Sequence, residues 1–394
     1  MSFRLWHILR VSFCLVVPAS ITAAQDLDSL ASRAVVFSKH QLEKTIAALG
    51  DTALFPRSTG GNGYWKLVRP NDWTSGFFPG SLWLGFELTG DSNLAYHAAQ
   101  WTEKLEAQKL NTKTHDVGFI MNCSFGNGER LAPNPSHKQI LLTAAQSLST
   151  RFNPHVGCIK SWDNRKWPFP VIIDNMMNLE LLFLAAKNGG PHDLYDIATT
   201  HALTTMKNHF RNDGSTYHVV SYDSLSGSVL AKETHQGQAH ESVWARGQAW
   251  AIYGFTMAYR ETGDDRFLKT AERAADWFVS HLPEDHIPYW DFDVSSIPGE
   301  PRDASAAAIA ASALFELGDL TESRDLRAKY ASSAREILAS LCQPPYLAEG
   351  SGSMGVLNHA TGNKPSNTEI DVSLIYADYY FLEALVRYRS IRTK

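Results

Sequence analysis

Basic runs are missing from this 394-residue sequence. Lys and Arg number 36 against 41 Asp and Glu, for a formal charge of −5, and the cations form no stripe. Nucleic-acid binding therefore lacks its electrostatic footprint. Cysteine is scarce: there are four, with no CxxC pair and no His/Cys cluster at zinc spacing. A disulfide framework and a structural zinc are both excluded. No apolar run is long enough to span a bilayer. What is abundant is core-forming material, 44% hydrophobic residues, so a large packed core is expected rather than disorder.

The N-terminus has the pattern of a secretion leader. Arg4 and Arg10 precede the apolar run Val11 to Val17, and Thr22-Ala23-Ala24 offers a small-residue cleavage site before Gln25. Residues 1–24 are read as a signal peptide, 25–394 as one secreted domain. Loss of Cys14 with the leader leaves Cys123, Cys158 and Cys342, so at most one bridge can form. Asn122-Cys123-Ser124 fits a glycosylation sequon, though beside a suspected active-site segment.

A weak internal repeat organises the rest. A polar start leads into an apolar helix, a turn, and a second helix with one charged face. Asp72 to Leu88 turns at Thr89-Gly90-Asp91, and Trp244 to Tyr259 turns at Thr262-Gly263-Asp264. Asp303 to Leu317 turns at Gly318-Asp319, and Asp174 to Ala186 at Asn188-Gly189-Gly190. Gly ends one helix in the left-handed conformation and Asp or Asn caps the next. Inner helices are expected from near Thr74, Asp116, Asp174, Ser242, Asp303 and Glu369, and outer helices from near Asp28, Asn93, Ser136, Asp193, Asp264 and Glu322. Six of each describe an all-α, (α/α)6 barrel. Ser215 to Tyr222 and Gly227 to Leu230 are expected to form a small β-hairpin at its mouth.

In a closed barrel the inner-helix starts converge. They would gather Asp72, Trp73, His115, Asp116, Asp174, Asn175, Trp244, Arg246, Asp303, Glu369 and Asp371, with Trp162, Trp167, His218, His235, Gln236 and His240 on loops. Tryptophan faces stack on sugar rings, a cation or helix N-terminus holds a carboxylate, and aspartates do acid–base work. Asp174 follows the apolar run Val171-Ile172-Ile173, a setting that desolvates a carboxylate and raises its pKa. Asp116 is its natural partner, since a nearby like charge raises it further. The competing reading of each is a plain helix cap.

Four segments carry a family resemblance: Asp72 to Gly80, His115 to Phe119, Ile172 to Leu179 and Trp244 to Trp250. In this order they resemble the unsaturated glucuronyl hydrolases, glycoside hydrolase family 88, whose fold is an (α/α)6 barrel. The resemblance implies release of a 4,5-unsaturated uronic acid from lyase-generated oligosaccharides by hydration of the C4=C5 vinyl ether. It implies Asp174 as general acid and base, Asp116 as its partner, and His218, His235 and Gln236 lining the pocket. His115 belongs with Asp116 in the same segment. Trp73, Trp244 and Trp250 would pack on the sugar, with Arg246 steering its carboxylate and Trp162 a looser match. No metal or organic cofactor is implied; a monomer is expected, with oligosaccharides as its partners and no nucleic acid or membrane. The alternatives are an unsaturated rhamnogalacturonyl hydrolase acting on pectin fragments, a conventional inverting glycosidase, and a non-catalytic sugar-binding toroid. Lys160, Arg165 and Lys166 are the cations placed to meet a sulfate, a solvated cluster being the plainer reading.

Overall fold

The computed structural model describes residues 19–164 and 166–392, with side chains from residue 27 onward. The expected leader lies outside the residues whose side chains are described. In chain order the helices are α1 (Ala19–Leu49), α2 (Phe77–Thr89), α3 (Ser92–Glu103), α4 (Val117–Met121), α5 (Asn127–Leu131), α6 (Pro135–Ser149) and α7 (Asn175–Lys187). They continue with α8 (Asp193–His209), α9 (Ala245–Thr262), α10 (Asp265–Ser280), α11 (Ala304–Leu320), α12 (Arg324–Leu341) and α13 (Ile375–Arg392). The inner ring runs α2, α4 with α5, α7, α9, α11 and α13, each packed on the next, and α13 packs back on α2. The helices α1, α3, α6, α8, α10 and α12 surround it, so the molecule is the expected (α/α)6 barrel. No helix among the described residues is long and apolar enough to cross a membrane.

Turn chemistry builds the repeat. Gly90 and Gly263 end α2 and α9 with φ of 71° and 69°, and Asp91 and Asp264 then accept from the N–H groups of Asn93 and Arg266. The inner helices are covered on all sides: every residue from Ala304 to Phe315 in α11 is buried, whereas α10 buries one face. Each large aliphatic or aromatic side chain buried this way stabilises the fold by about 1.5–3 kcal/mol. Closure is also polar, since the Tyr388 hydroxyl of α13 donates to Asp28 of α1 at 2.6 Å.

Three departures from expectation matter for function. The second inner helix is interrupted: a π turn at Asn122–Gly126 joins α4 to α5. The last inner helix starts at Ile375, not near Glu369. His359, Asn367, Glu369 and Asp371 have φ between 52° and 58°, which helical geometry excludes, so this stretch is a loop over the mouth. The hairpin exists but gains a third strand. Among the described residues there are seven short strands, β1 (Phe55–Thr59) paired with β2 (Trp65–Val68), β3 (Phe152–Asn153) with β4 (Cys158–Ile159), and β5 (Phe169–Ile172), β6 (Val219–Tyr222) and β7 (Val229–Glu233) in one antiparallel sheet. The apolar run before Asp174 is therefore an edge strand that leads the chain into the site.

Cys123, Cys158 and Cys342 are free and buried, so the described residues hold no bridge. Asn122 points inward, its Nδ2 donating to Glu180 at 2.9 Å, which commits the nitrogen that a glycan would need.

Gly118 sets the distance between α4 and α7. A Cβ there would stand 2.4 Å from the Asn178 Cα, and Asn178 Oδ1 already accepts from the Phe119 N–H at 2.8 Å. Gly118→Ala is expected to cost about 1–3 kcal/mol of stability by forcing the helices apart. Denaturant unfolding checks this, and an unchanged midpoint with full activity would contradict the packing described.

Candidate active site

The parallel inner helices bring their N-terminal ends to one mouth, where a cavity of about 250 Å³ opens. Asp116 and Asp174 line it, together with Trp73, His115, Trp162, His235, Gln236 and Arg246. Residues with no motif around them complete it: Arg57 on β1, Tyr376 on α13, and the mouth-loop residues Gly362, Asn363, Thr368 and Glu369.

Neither aspartate caps its helix with its side chain. Asp174 precedes α7 and Asp116 precedes α4, yet neither carboxylate accepts a capping hydrogen bond. Asp303, by contrast, caps α11 by accepting from the Ser305 N–H. The Asp174 side chain is 14% exposed, and its Oδ2 has no hydrogen-bond partner. Burial pushes its pKa up to about 7, the Arg246 charge opposes this, and the neighbouring Asp116 charge adds to the rise. Asp116 accepts from the Thr114 hydroxyl at 2.6 Å, which fixes its rotamer.

Two buried histidines flank the pair, and burial holds both below the ordinary histidine pKa, so both are neutral. The Nδ1 of His218 accepts from the backbone N–H groups of His235 and Gln236, each at 3.2 Å. Its proton is therefore assigned to Nε2, which faces Asp174 Oδ2 at 3.6 Å. A neutral ring at that distance is no ion pair; it is a donor aimed into the gap beside the acid. His115 repeats the arrangement, with Nδ1 toward Asn178 Nδ2 at 3.4 Å and Nε2 3.2 Å from Asp116 Oδ1.

Arg246 is 1% exposed. Its Nη1 donates to Asp303 at 2.8 Å and to the Thr361 carbonyl at 2.6 Å, and its Nη2 donates to the Gly362 carbonyl at 2.5 Å. It is a fixed charge in the wall, holding the mouth loop and acting on Asp174 through its field, rather than a free arm for a carboxylate. The Nε2 of Gln236 also donates to the Gly362 carbonyl, at 3.1 Å. Arg57 holds the far end of the same loop through Glu369 at 2.7 Å while pairing with Asp72 at 2.8 Å.

Of the three tryptophans expected to pack on the sugar, only Trp73 lines the cavity. Trp244 stands behind it, its ring 4.4 Å from that of His218 and covered by Arg246 at 4.5 Å. Trp250 is fully buried between Phe119 and Tyr380, so no ring face is left for a ligand. Its indole favours the charged form of Asp174, against the larger effect of burial. His218 likewise sits just behind the lining.

A second cavity, about 480 Å³, opens toward the C-terminal ends of the inner helices. Its core is a paired network, Arg260 with Glu180, Glu261 and Glu316, and Arg387 with Glu316. The uncapped aspartate pair is at the other mouth.

The family model described as Glycosyl Hydrolase Family 88 matches residues 62–381. The chain is 50% identical over 333 residues to an unsaturated glucuronyl hydrolase of Formosa agariphila, covering 83% of this chain and 82% of that one. It is 34% identical over 341 residues to an unsaturated glucuronyl hydrolase of a Bacillus species, covering 84% and 90%. A solved unsaturated glucuronyl hydrolase specific for heparin superposes with a TM-score of 0.90 at 46% identity, over 93% of this chain and 99% of that one.

The raised pKa of Asp174 carries a cost in stability. An unfolded chain releases this proton near 3.8 and the folded one near 7, so between these values the folded state binds more protons. Stability therefore falls as pH rises through that window. Asp174→Asn is expected to be more stable than the parent by on the order of 1–3 kcal/mol at pH about 8, with a smaller gain at pH about 4. Denaturant melts at both pH values check it; an equal gain at both would mean that Asp174 titrates normally.

Proposed function

Because the chain belongs to glycoside hydrolase family 88, we propose that it removes a 4,5-unsaturated uronic acid from the non-reducing end of lyase-generated oligosaccharides. The observation that carries this reading is the largely buried, uncapped Asp174, whose pKa burial pushes up to about 7, facing a cavity beside Asp116.

A vinyl ether is hydrated by protonation at C4, which places positive charge on C5 and the ring oxygen. Asp174 supplies that proton, and its pKa near 7 makes it both an available acid and a competent base. Water then adds at C5 and returns a proton to the Asp174 carboxylate. The resulting C5 hemiketal opens by cleavage of its bond to the ring oxygen, giving a C5 ketone and a hemiacetal at C1. That hemiacetal expels the linked sugar as an alcohol, leaving an aldehyde. No bond to the anomeric carbon is broken by direct displacement, so the carboxylate spacing of ordinary glycosidases does not apply.

The surroundings support these steps. The Nε2–H of His218 points at the gap beside Asp174 Oδ2, where it can orient the attacking water. Burial holds the acid protonated; the Arg246 charge opposes that rise and the Asp116 charge adds to it. Trp73 and Trp162 offer ring faces to the sugars. The N-terminal pattern supports secretion of the enzyme, with cleavage before Gln25.

Loss of ultraviolet absorbance from the alkene tests the reaction on unsaturated disaccharides. Asp174→Asn is expected to lower kcat by at least about 10³-fold while the protein stays folded. Asp116→Asn is expected to move the alkaline limb of the kcat profile to lower pH, because a like charge beside the acid is gone. Full activity in a folded Asp174→Asn protein would overturn the reading.

A further inference from the structure

The mouth of the cavity is bordered by several cations, and most are already neutralised. Arg57 pairs with Asp72 and Glu369, Arg246 with Asp303, and Lys364 with Glu300 at 2.6 Å. Lys160, one of the three cations suspected from sequence, pairs with Asp163 at 3.2 Å, and Arg151 reaches the same carboxylate at 2.9 Å. Lys166 is different. It is exposed, and among the described residues it has no carboxylate partner. Its ammonium lies 4.1 Å from the centre of the Trp167 ring. That indole is held from below by a hydrogen bond to Glu233, whose other oxygen faces His240 at 3.6 Å, so this acid is engaged elsewhere.

Trp167 is buried against the aromatic wall of the cavity. Its ring is 5.8 Å from that of Trp162, which lines the cavity, and both rings contact His235, at 6.0 and 5.2 Å. The Lys166 charge is felt at His235: burial lowers that histidine's pKa first, and Lys166 lowers it further. A cation with no carboxylate partner among the described residues therefore stands beside the Trp162–His235 side of the cavity.

We propose that Lys166 is a specificity-determining residue, its ammonium receiving an anionic substituent, a sulfate ester or a carboxylate, on the sugar that follows the unsaturated uronate. The inference rests on the reading of the cavity as the uronate site. A cation on an indole face keeps its charge while losing part of its hydration, which favours a large, weakly hydrated anion.

The test uses matched unsaturated disaccharides whose second sugar is unsubstituted, sulfated or carboxylated, with the full-length enzyme and its K166Q and K166R variants. The wild type is expected to prefer an anionic substrate through KM. K166Q should cut that preference about three- to five-fold, the size of an exposed charge pair, while K166R restores it. Raising salt from about 0.01 to 0.15 M should shrink the preference in the wild type and leave K166Q unmoved. Comparison of the sulfated and carboxylated arms identifies the anion. A KM ratio identical in wild type and K166Q overturns the proposal. Equilibrium binding by tryptophan fluorescence, in the Asp174→Asn background with and without K166Q, gives the same ratios without turnover. A preference lost with Lys166 there supports the proposal even if no alkene is consumed, and equal affinities overturn it.

Discussion

A carboxylate buried without a cap or a contacting cation is the constraint around which the rest of this molecule is arranged. Desolvating an acid is costly, and proteins commonly relieve the cost with an N-cap or an ion pair. Asp303 takes both routes, capping α11 and pairing with Arg246. Asp174 takes neither and responds by holding its proton up to about pH 7. The groups around it keep that balance. The two histidines are neutral, so their Nε2–H groups face the acids without adding charge. Arg246 is tied to Asp303 and two loop carbonyls, so its field reaches the acid but its guanidinium does not move to it.

The barrel makes such a site affordable. Its inner helices are packed on every side, with α11 buried from Ala304 to Phe315. That large core offsets local costs at the mouth, where Glu369 and Asp371 adopt positive φ. The strained loop is clamped at both ends, by Arg246 and Gln236 near Gly362 and by Arg57 at Glu369. The same clamps shape the polar wall of the cavity, which Trp73 and Trp162 also line.

Much of this was legible in the sequence because it follows from local chemistry. The Thr-Gly-Asp turns at 89–91 and 262–264 and the apolar inner helices announce the repeat, and the count of six pairs holds. Asp174 and Asp116 stood out through the apolar run and the family segments around them. What was not legible depends on tertiary contact. Arg57 sits on a short strand with no motif, and only the glycine-rich turn at 60–63 hinted at the hairpin that carries it. Trp244 and Trp250 lie in a family segment that marks the site, but sequence does not tell a ring that faces the cavity from one behind it. Glu369 and Asp371 read as a helix start because acids there resemble caps; the loop that holds them is fixed by clamps, which join residues far apart in the chain.

The most direct measurement is the titration of Asp174 itself, followed by carboxyl carbon NMR in the folded protein with Asp174→Asn as the assignment reference. The account predicts a midpoint near 7, moving down when Asp116 is changed to Asn. A midpoint at the ordinary aspartate value, indifferent to Asp116, would contradict it.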